Sequence, residues 1–207
     1  MFSPKYFQMK DHDEVIRFME EHSFVTIVTM KKGDPIATHV PVQLQKEGED
    51  YFITGHLAYS NPQWRTFELN KRVLVIYQGP HAYISSSWYS HENVPTWNYQ
   101  AVHIYGQVMI MGEQELKADL AKQLEKYEKY REHPTLWHTL SPELLEQQLK
   151  GIVGFKIKVE DIQATYKLSQ NRNDEDYQRV VENLQQEDSM SSQQLAEVMK
   201  KIGRNNQ

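Results

Sequence analysis

Residues 24–54 have the sequence FVTIVTMKKGDPIATHVPVQLQKEGEDYFIT, in which three apolar segments alternate with two short turns. Residues 24–30 are β-branched and apolar at both odd and even positions, which is typical of a strand covered on both faces. KGDP and EGED are turn sequences, because glycine, proline and aspartate supply the backbone conformations that tight turns need. Residues 36–44 and 51–54 resume the β pattern after each turn. We therefore predict three consecutive antiparallel strands joined by hairpin turns.

Four further segments carry a β signal. Residues 73–78 and 81–86 flank a Gly-Pro pair, which predicts a turn between two strands. Residues 97–111 form one long predicted strand, and residues 154–165 form another with one face toward water. Seven strands joined mostly by tight turns predict a closed antiparallel sheet rather than βαβ units. The sequence therefore indicates a mainly β protein, a small barrel decorated by helices.

The intervening segments predict helices. Residues 11–21 have an apolar i, i+1, i+4 face, and Asn61-Pro62 is a favourable helix start. Residues 113–131 and 141–151 predict two longer helices. We expect the first of these to bury an apolar face made of Leu116, Leu120, Leu124 and Tyr127.

The end of the chain differs in composition from the rest. Residues 51–105 hold 12 of the 23 aromatic residues, whereas Tyr177 is the single aromatic residue from 167 onward. Two apolar stripes predict two tail helices, the second ending at Gly203. The stripes are Tyr177, Val180, Val181 and Leu184, and then Leu195, Val198, Met199 and Ile202. We therefore predict a barrel domain with helical insertions over 1–165 and a helical extension packed on it over 166–207.

Composition excludes several classes of protein. The chain has 207 residues, of which 39% are hydrophobic and 25% charged, so it has enough apolar material for a core and is not disordered throughout. It contains no cysteine, which excludes disulfide scaffolds, thiol catalysis and zinc knuckles. A mean hydropathy of −0.71 and the lack of a long apolar segment predict no membrane span, and no secretory signal is evident. We expect a cytoplasmic protein.

Motifs for metal binding and for common catalysis are missing from the sequence. The nine histidines form neither an HxH pair nor an HExxH motif, so we predict no metal site. The chain also lacks GxSxG, GxGxxG and Walker sequences. Catalysis by a serine nucleophile and binding of nucleotides in a phosphate loop are therefore not indicated.

Three segments have the chemistry of a binding site. Residues 54–62 place hydroxyls and a histidine at a strand end and helix start, which suits a phosphate or an ordinary helix cap. Residues 94–103 mix aromatic and amide groups, which suits a flat heteroaromatic ligand or aromatic core packing. Residues 166–172 carry two cations and two amides, which suits a phosphate, a planar ligand or a solvated loop.

Taken together, these segments resemble the PaiB family nearly from end to end. The likeness is carried by ISSSWY at 84–89, VPTWNY at 94–99, AVH at 101–103, TGH at 54–56, NP at 61–62 and KLSQNR at 167–172. The resemblance implies a flavin-binding type of split β-barrel, akin to the pyridoxamine-phosphate oxidases. It also implies a homodimer with FMN in the clefts between subunits, and a negative transcriptional regulator of sporulation and degradative-enzyme genes.

The same resemblance assigns site residues. It implies that Thr54, His56 and Asn61 face the FMN phosphate and ribityl chain. Thr38 and His39 are implied to lie under the isoalloxazine ring. Trp97, Asn98 and Tyr99 are implied to approach from the long strand. Lys167, Gln170, Asn171 and Arg172 are implied to close the site.

Charge gives direct DNA binding little support. The net charge is −5, and residues 166–207 carry six Lys/Arg against seven Asp/Glu. The best basic patch consists of Lys122, Lys126, Lys129 and Arg131, where neighbouring glutamates also favour an ion-paired helix surface. Two alternatives stay open: a flavin-dependent oxidoreductase, and a haem-binding barrel with His39, His56 or His103 as a ligand. We expect a regulator rather than an enzyme.

Overall fold

The computed structural model of the protein describes residues 1–203. Within them the strands are β1 (Phe24–Lys31), β2 (Asp34–Glu47), β3 (Asp50–Ala58), β4 (Arg72–Ile84), β5 (Thr96–Ile110) and β6 (Ile152–Lys167). The α-helices are α1 (His12–Glu21), α2 (Thr66–Leu69), α3 (Glu113–Glu128), α4 (Pro142–Leu149), α5 (Asp174–Gln186) and α6 (Met190–Ile202). The strands close into a barrel in the order β1-β2-β3-β6-β5-β4, which confirms the predicted barrel.

The two predicted hairpins form because their turns match the backbone conformations required. At the β1–β2 turn, Lys32 and Gly33 both have positive φ, of 53° and 95°, as two-residue hairpin turns favour. At the β2–β3 turn, Gly48 has a φ of 61°. These turns fix the register, which pairs Ile27 with Thr38 and Val42 with Gly55. The register in turn decides which face of the sheet each predicted site residue occupies.

One predicted element boundary is wrong. Residues 73–78 and 81–86 are not two strands, because β4 continues through the Gly-Pro pair. Gly79 serves a different purpose from a turn: a Cβ there would lie 2.6 Å from Cε2 of Phe18, on α1. The glycine therefore permits a close approach of a helix to the strand. The barrel has six strands within residues 1–203, one fewer than predicted.

The chain forms two compact units. The hairpin unit comprises Ser23–Ile76 and Ile104–Asp161, and the helical unit comprises Met1–His22, Tyr77–His103 and the chain from Ile162 onward. In the hairpin unit, the buried core includes Val25, Ile27, Val40, Ile53, Phe155 and Ile157. In the helical unit, it includes Phe18, Tyr166, Val180, Leu184, Leu195 and Met199.

The predicted C-terminal extension, 166–207, contains α5 and α6, which bury most of the apolar stripes expected of them. Tyr177 and Val198 are the two stripe members that stay half-buried. Gly203 follows α6 with a φ of 69°, as a helix-terminating glycine does. Residues 204–207 of the predicted extension lie outside the described residues. Among residues 1–203, no helix has the length and apolar character needed to cross a membrane.

Candidate functional site

In the hairpin unit, the 3₁₀ helix Pro62–Arg65 is held against β1 and β2 by side-chain hydrogen bonds. Asn61 accepts a bond from the backbone N–H of Gln63 (2.9 Å) and donates one from Nδ2 to the Thr38 hydroxyl (2.9 Å). The Thr38 hydroxyl donates to Oε1 of Gln63. Thr38 and Asn61, two of the predicted site residues, are therefore brought together around Gln63.

Gln63 is the centre of this network and was not singled out from the sequence. Its side chain is 2% exposed, and its Nε2 donates to the carbonyl of Ile27 (3.0 Å), the Thr29 hydroxyl (3.2 Å) and the carbonyl of Ile36 (3.3 Å). These three acceptors lie 36, 34 and 27 residues before Gln63 in the sequence, so no local pattern could have identified it. The network fixes the backbone that follows β3.

His39 lies on the other face of β2 from Thr38, because successive strand residues point to opposite faces. Its Nδ1 lies 2.9 Å from the hydroxyl of Thr26, and its ring stacks at 6.3 Å on the ring of Phe24. A ligand bound on one face of β2 can therefore contact Thr38 or His39, but not both.

Thr54 faces α3, where it helps to bind a buried carboxylate. The Thr54 hydroxyl donates to Oδ1 of Asp119 (2.6 Å), and Nε2 of Gln45 donates to the same oxygen (2.7 Å). Gln43 donates to the Asp119 carbonyl (3.0 Å), and Asp119 is only 3% exposed. A phosphate at Thr54 would lie beside this carboxylate and be repelled by it. The geometry instead makes Thr54 an anchor for α3.

His56 shares the α3-facing side of β3 with Thr54 and is half-buried. Its Nδ1 is inaccessible to solvent and has no hydrogen-bond partner among the described residues. Burial lowers the pKa of His56, an effect that the negative charge of Asp119 opposes. Burial therefore favours the neutral ring, in which Nδ1 is left without a partner.

In the helical unit, the start of β5 presents alternating exposed and buried residues. Trp97 is 54% exposed and packs edge-on against Tyr83, which is 49% exposed, at 6.0 Å. Asn98 is fully buried, and its Nδ2 donates to the Ser169 hydroxyl (2.8 Å). Its Oδ1 has no partner among the described residues. Tyr99 is half-buried beside it, so Trp97 is the member of this group that offers an open ring.

The turn after β6 brings together the remaining predicted residues. Ser169 has a φ of 59°, and Gln170 closes the turn by accepting from Leu168 N–H (2.7 Å) and donating to the Tyr166 carbonyl (2.7 Å). Asn171 is exposed at its tip. Gln170 therefore supports the turn on which Lys167 and Arg172 sit.

Lys167 and Arg172 form a pair of cations at this turn. The Lys167 ammonium donates to the Thr96 hydroxyl, and Arg172 lies over the ring of Tyr89 at 4.7 Å. Burial lowers the pKa of Lys167, and the positive charge of Arg172 lowers it further. An anion bound here would be attracted to both groups and would relieve their mutual repulsion. The pair therefore has the chemistry of a phosphate site.

Tyr89 is positioned by a carboxylate that sequence reasoning missed. Asp176, on α5, accepts a bond from the backbone N–H of Ser90 (2.7 Å), and the ring of His91 lies 3.2 Å away. The Ser90 bond holds the pKa of Asp176 below its usual range. Asp176 thereby fixes the loop that carries the ring beneath Arg172.

One face of β1, β2 and β4 in the hairpin unit is mainly apolar, with the hydrogen-bonded pair of Thr26 and His39 within it. Phe24 is 68% exposed and Met30 43% exposed at its two ends. Between them, Val28 pairs with Ala37 on β2 and Leu74 on β4. Exposed sheet faces of this kind mark contact surfaces in soluble proteins.

Comparison with known proteins gives one family and several relatives. Residues 1–161 match the family described as "Putative FMN-binding domain". The chain is 60% identical over 199 residues, 96% of both chains, to "Protease synthase and sporulation protein PAI 2" of Bacillus subtilis.

Two solved structures show the same fold at low sequence identity. The flavocytochrome Anf3 of Azotobacter vinelandii has a TM-score of 0.61 and 13% identity, covering 84% of this chain and 75% of its own. The FAD and haem binding protein of Mycobacterium smegmatis has a TM-score of 0.58 and 11% identity, covering 77% and 73%. These likenesses confirm the predicted split-barrel fold.

Proposed function

The chain belongs to the PaiB family of FMN-binding-type split barrels, and from this membership we propose that it regulates sporulation and degradative-enzyme genes. The observation that carries the proposal is the 60% identity to the PAI 2 protein, which extends over 96% of both chains. The identity spans 199 residues, whereas the match to the FMN-binding domain ends at residue 161, so the identity extends into the region of α5 and α6. The proposal therefore concerns the whole chain rather than the barrel alone.

A genetic replacement tests the regulatory role. We expect this chain, expressed in a Bacillus subtilis strain that lacks the PAI 2 protein, to restore wild-type sporulation frequency and extracellular protease levels. A matched chain that ends after β6 should fail, since it lacks α5 and α6. No restoration by the full chain, at normal expression, contradicts the proposal.

We propose that Lys167 and Arg172 bind the phosphate of FMN. The support is the pairing of two cations on one turn, with the pKa of Lys167 lowered by burial and by its neighbour. When bound, FMN supplies a ring that accepts and returns electrons. Trp97 supplies an exposed ring face in the same unit. Thr38, expected under the isoalloxazine ring, and Asn61, expected at the phosphate and ribityl chain, lie in the hairpin unit and remain predictions.

Flavin titration separates phosphate recognition from ring binding. Lys167→Gln and Arg172→Gln should each weaken FMN binding about tenfold or more, because each removes a charge-assisted hydrogen bond. Riboflavin, which lacks the phosphate, should bind all forms equally. Lys150→Gln, at the exposed residue that follows α4, is the control. An equal loss for riboflavin, or a Soret band in the purified protein, contradicts this assignment.

We also propose a homodimer formed through the apolar face of β1, β2 and β4. Phe24→Asp places a charge on that face and should shift the protein to monomer in sedimentation velocity. Phe2→Asp, at a side chain that is 87% exposed, is the control. A Phe24→Asp protein that sediments like the wild type contradicts the proposed interface.

The basic patch near the end of α3 is the surface we propose for direct contact with DNA. Lys122, Lys126 and Lys129 follow i, i+4, i+7 spacing and line one surface depression together with Glu125 and the exposed ring of Tyr130. Three neutralised phosphates predict a log–log salt slope of about −2.7 per chain. A measured slope near zero means that regulation proceeds through a protein partner instead.

A further inference from the structure

A cavity of about 440 Å³ lies in the hairpin unit between α3 and α4, with His56 in its wall. This volume falls within the range of small-molecule sites in proteins. Six leucines and Ile152 line it, together with Trp137 and Tyr127. The polar lining residues are His56, Gln123, Glu128 and Gln148. The cavity is therefore mainly apolar with a few polar groups.

The apolar side chains around this cavity are incompletely packed. The predicted buried face of α3 holds only at Leu116, which is 7% exposed, whereas Leu120 and Leu124 are half-buried and Tyr127 is 42% exposed. Across the cavity, α4 buries none of its residues. A helix of eight residues has little stability of its own and depends on tertiary contacts. A molecule that fills the space would therefore bury apolar side chains of both α3 and α4.

The two walls are held differently. α3 is anchored by Asp119, which accepts bonds from Thr54 and Gln45. α4 has a Ser141 cap at its start and an exposed ion pair between Lys150 and Glu146. Exposed pairs of this kind contribute little to stability. A bound molecule would therefore order α4 against an already fixed α3.

His56 supplies the polar recognition group. Its Nδ1 is inaccessible to solvent and unpartnered, and burial lowers its pKa, so the neutral ring offers a ligand its other nitrogen, Nε2, as a donor or an acceptor. A neutral imidazole suits a hydroxyl or a carbonyl. An anionic ligand would be disfavoured by Glu128 in the wall and by Asp119 near His56.

We propose that this cavity binds an uncharged, mainly apolar small molecule with one hydroxyl or carbonyl group, which hydrogen-bonds to His56. The cavity shares no residue with the cation pair of Lys167 and Arg172, so the proposal does not depend on flavin binding. Occupation stabilises α4 and makes the outer surface of the hairpin unit responsive to the ligand.

The test uses the full chain and N-phenyl-1-naphthylamine, a neutral dye that fluoresces in apolar sites. We expect one dye molecule per chain, displaced by 1-decanol more strongly than by decanoate or decylamine. His56→Phe should weaken 1-decanol about five- to tenfold, the effect of losing one hydrogen bond, while dye affinity stays unchanged. Leu145→Trp should narrow the cavity and weaken dye binding, with Leu69→Trp, at an 82% exposed site, as control.

Several results overturn the proposal. Failure of the dye to bind, equal displacement by all three decyl compounds, or unchanged 1-decanol affinity in His56→Phe each contradicts it. Displacement of the dye by FMN assigns the cavity to the flavin instead. Loss of dye binding as the chain self-associates in sedimentation assigns it to a second copy. If Leu145→Trp fails to fold, His56→Phe still decides the outcome.

Discussion

Replacing Gln63 by glutamate is the sharpest test of the network that follows β3. The change keeps the shape of the side chain but removes the N–H donors that contact the carbonyls of Ile27 and Ile36. It also places an acceptor-only group against those two carbonyl oxygens at a site that is 2% exposed. The Thr29 hydroxyl can still donate to the new group, so its contact survives.

The magnitude follows from these losses. Two neutral hydrogen bonds contribute about 0.5–1.5 kcal/mol each, and the unpaired buried carbonyls and carboxylate add to the cost. We expect the free energy of unfolding to fall by about 2–4 kcal/mol, which lowers Tm by about 5–15 °C for a chain of this size.

The cost should depend on pH with a definite sign. Burial beside carbonyl oxygens raises the pKa of the new carboxyl above its unfolded value of about 4.3. The folded state then binds the proton more tightly, so Gln63→Glu is least destabilising below that pH, and the cost grows as pH rises through the folded pKa.

Urea unfolding at several pH values measures both effects, with exposed Gln147→Glu on α4 as the control for adding a carboxylate. A Gln63→Glu protein as stable as the Gln147→Glu control at neutral pH refutes the hydrogen-bond assignment. A cost that is independent of pH refutes the assignment of the carboxyl to a buried site.

Other substitutions probe the anchors and close approaches. Thr54→Val should lower the free energy of unfolding in urea by about 1.5–3 kcal/mol, because it removes a hydrogen bond to buried Asp119. A decrease no larger than that caused by exposed Thr135→Val contradicts this. Gly106→Ala should destabilise more than Gly79→Ala in thermal melts, because its Cβ would meet a backbone carbonyl at 2.2 Å rather than a movable ring; the reverse order argues against it. Burial lowers the pKa of His56, so below about pH 6.5 the unfolded chain binds more protons and the free energy of unfolding falls as pH falls. His56→Gln should flatten that decline. An unchanged pH profile of stability counts against a buried neutral ring.

The barrel could be predicted from the sequence because its signals are local. The turns at Gly33 and Gly48, and the apolar segments beside them, fix hairpins within a few residues. The Gly-Pro pair at Gly79 led to a wrong prediction of a turn, because glycine is needed there to make room for Phe18, a residue that is distant in sequence.

The site was harder to predict because its partners are long-range. Gln63 has partners on β1 and β2 that no local spacing reveals. Asp119 did leave a signal, because it lies three residues after Leu116 on a helix face expected to be apolar. A charged residue on such a face needs buried partners, and those are Thr54 and Gln45.

Because α3 is anchored through Asp119 and α4 is held by few contacts, a probe attached to α4 can report on ligand binding in the cavity. The sequence has no cysteine, so a thiol introduced at Glu146 on α4 would be unique and could be labelled without further engineering. A fluorophore there sits on the loosely held wall, while α3 stays fixed as a reference. Its emission would report the state of α4 in real time, even inside a crowded lysate.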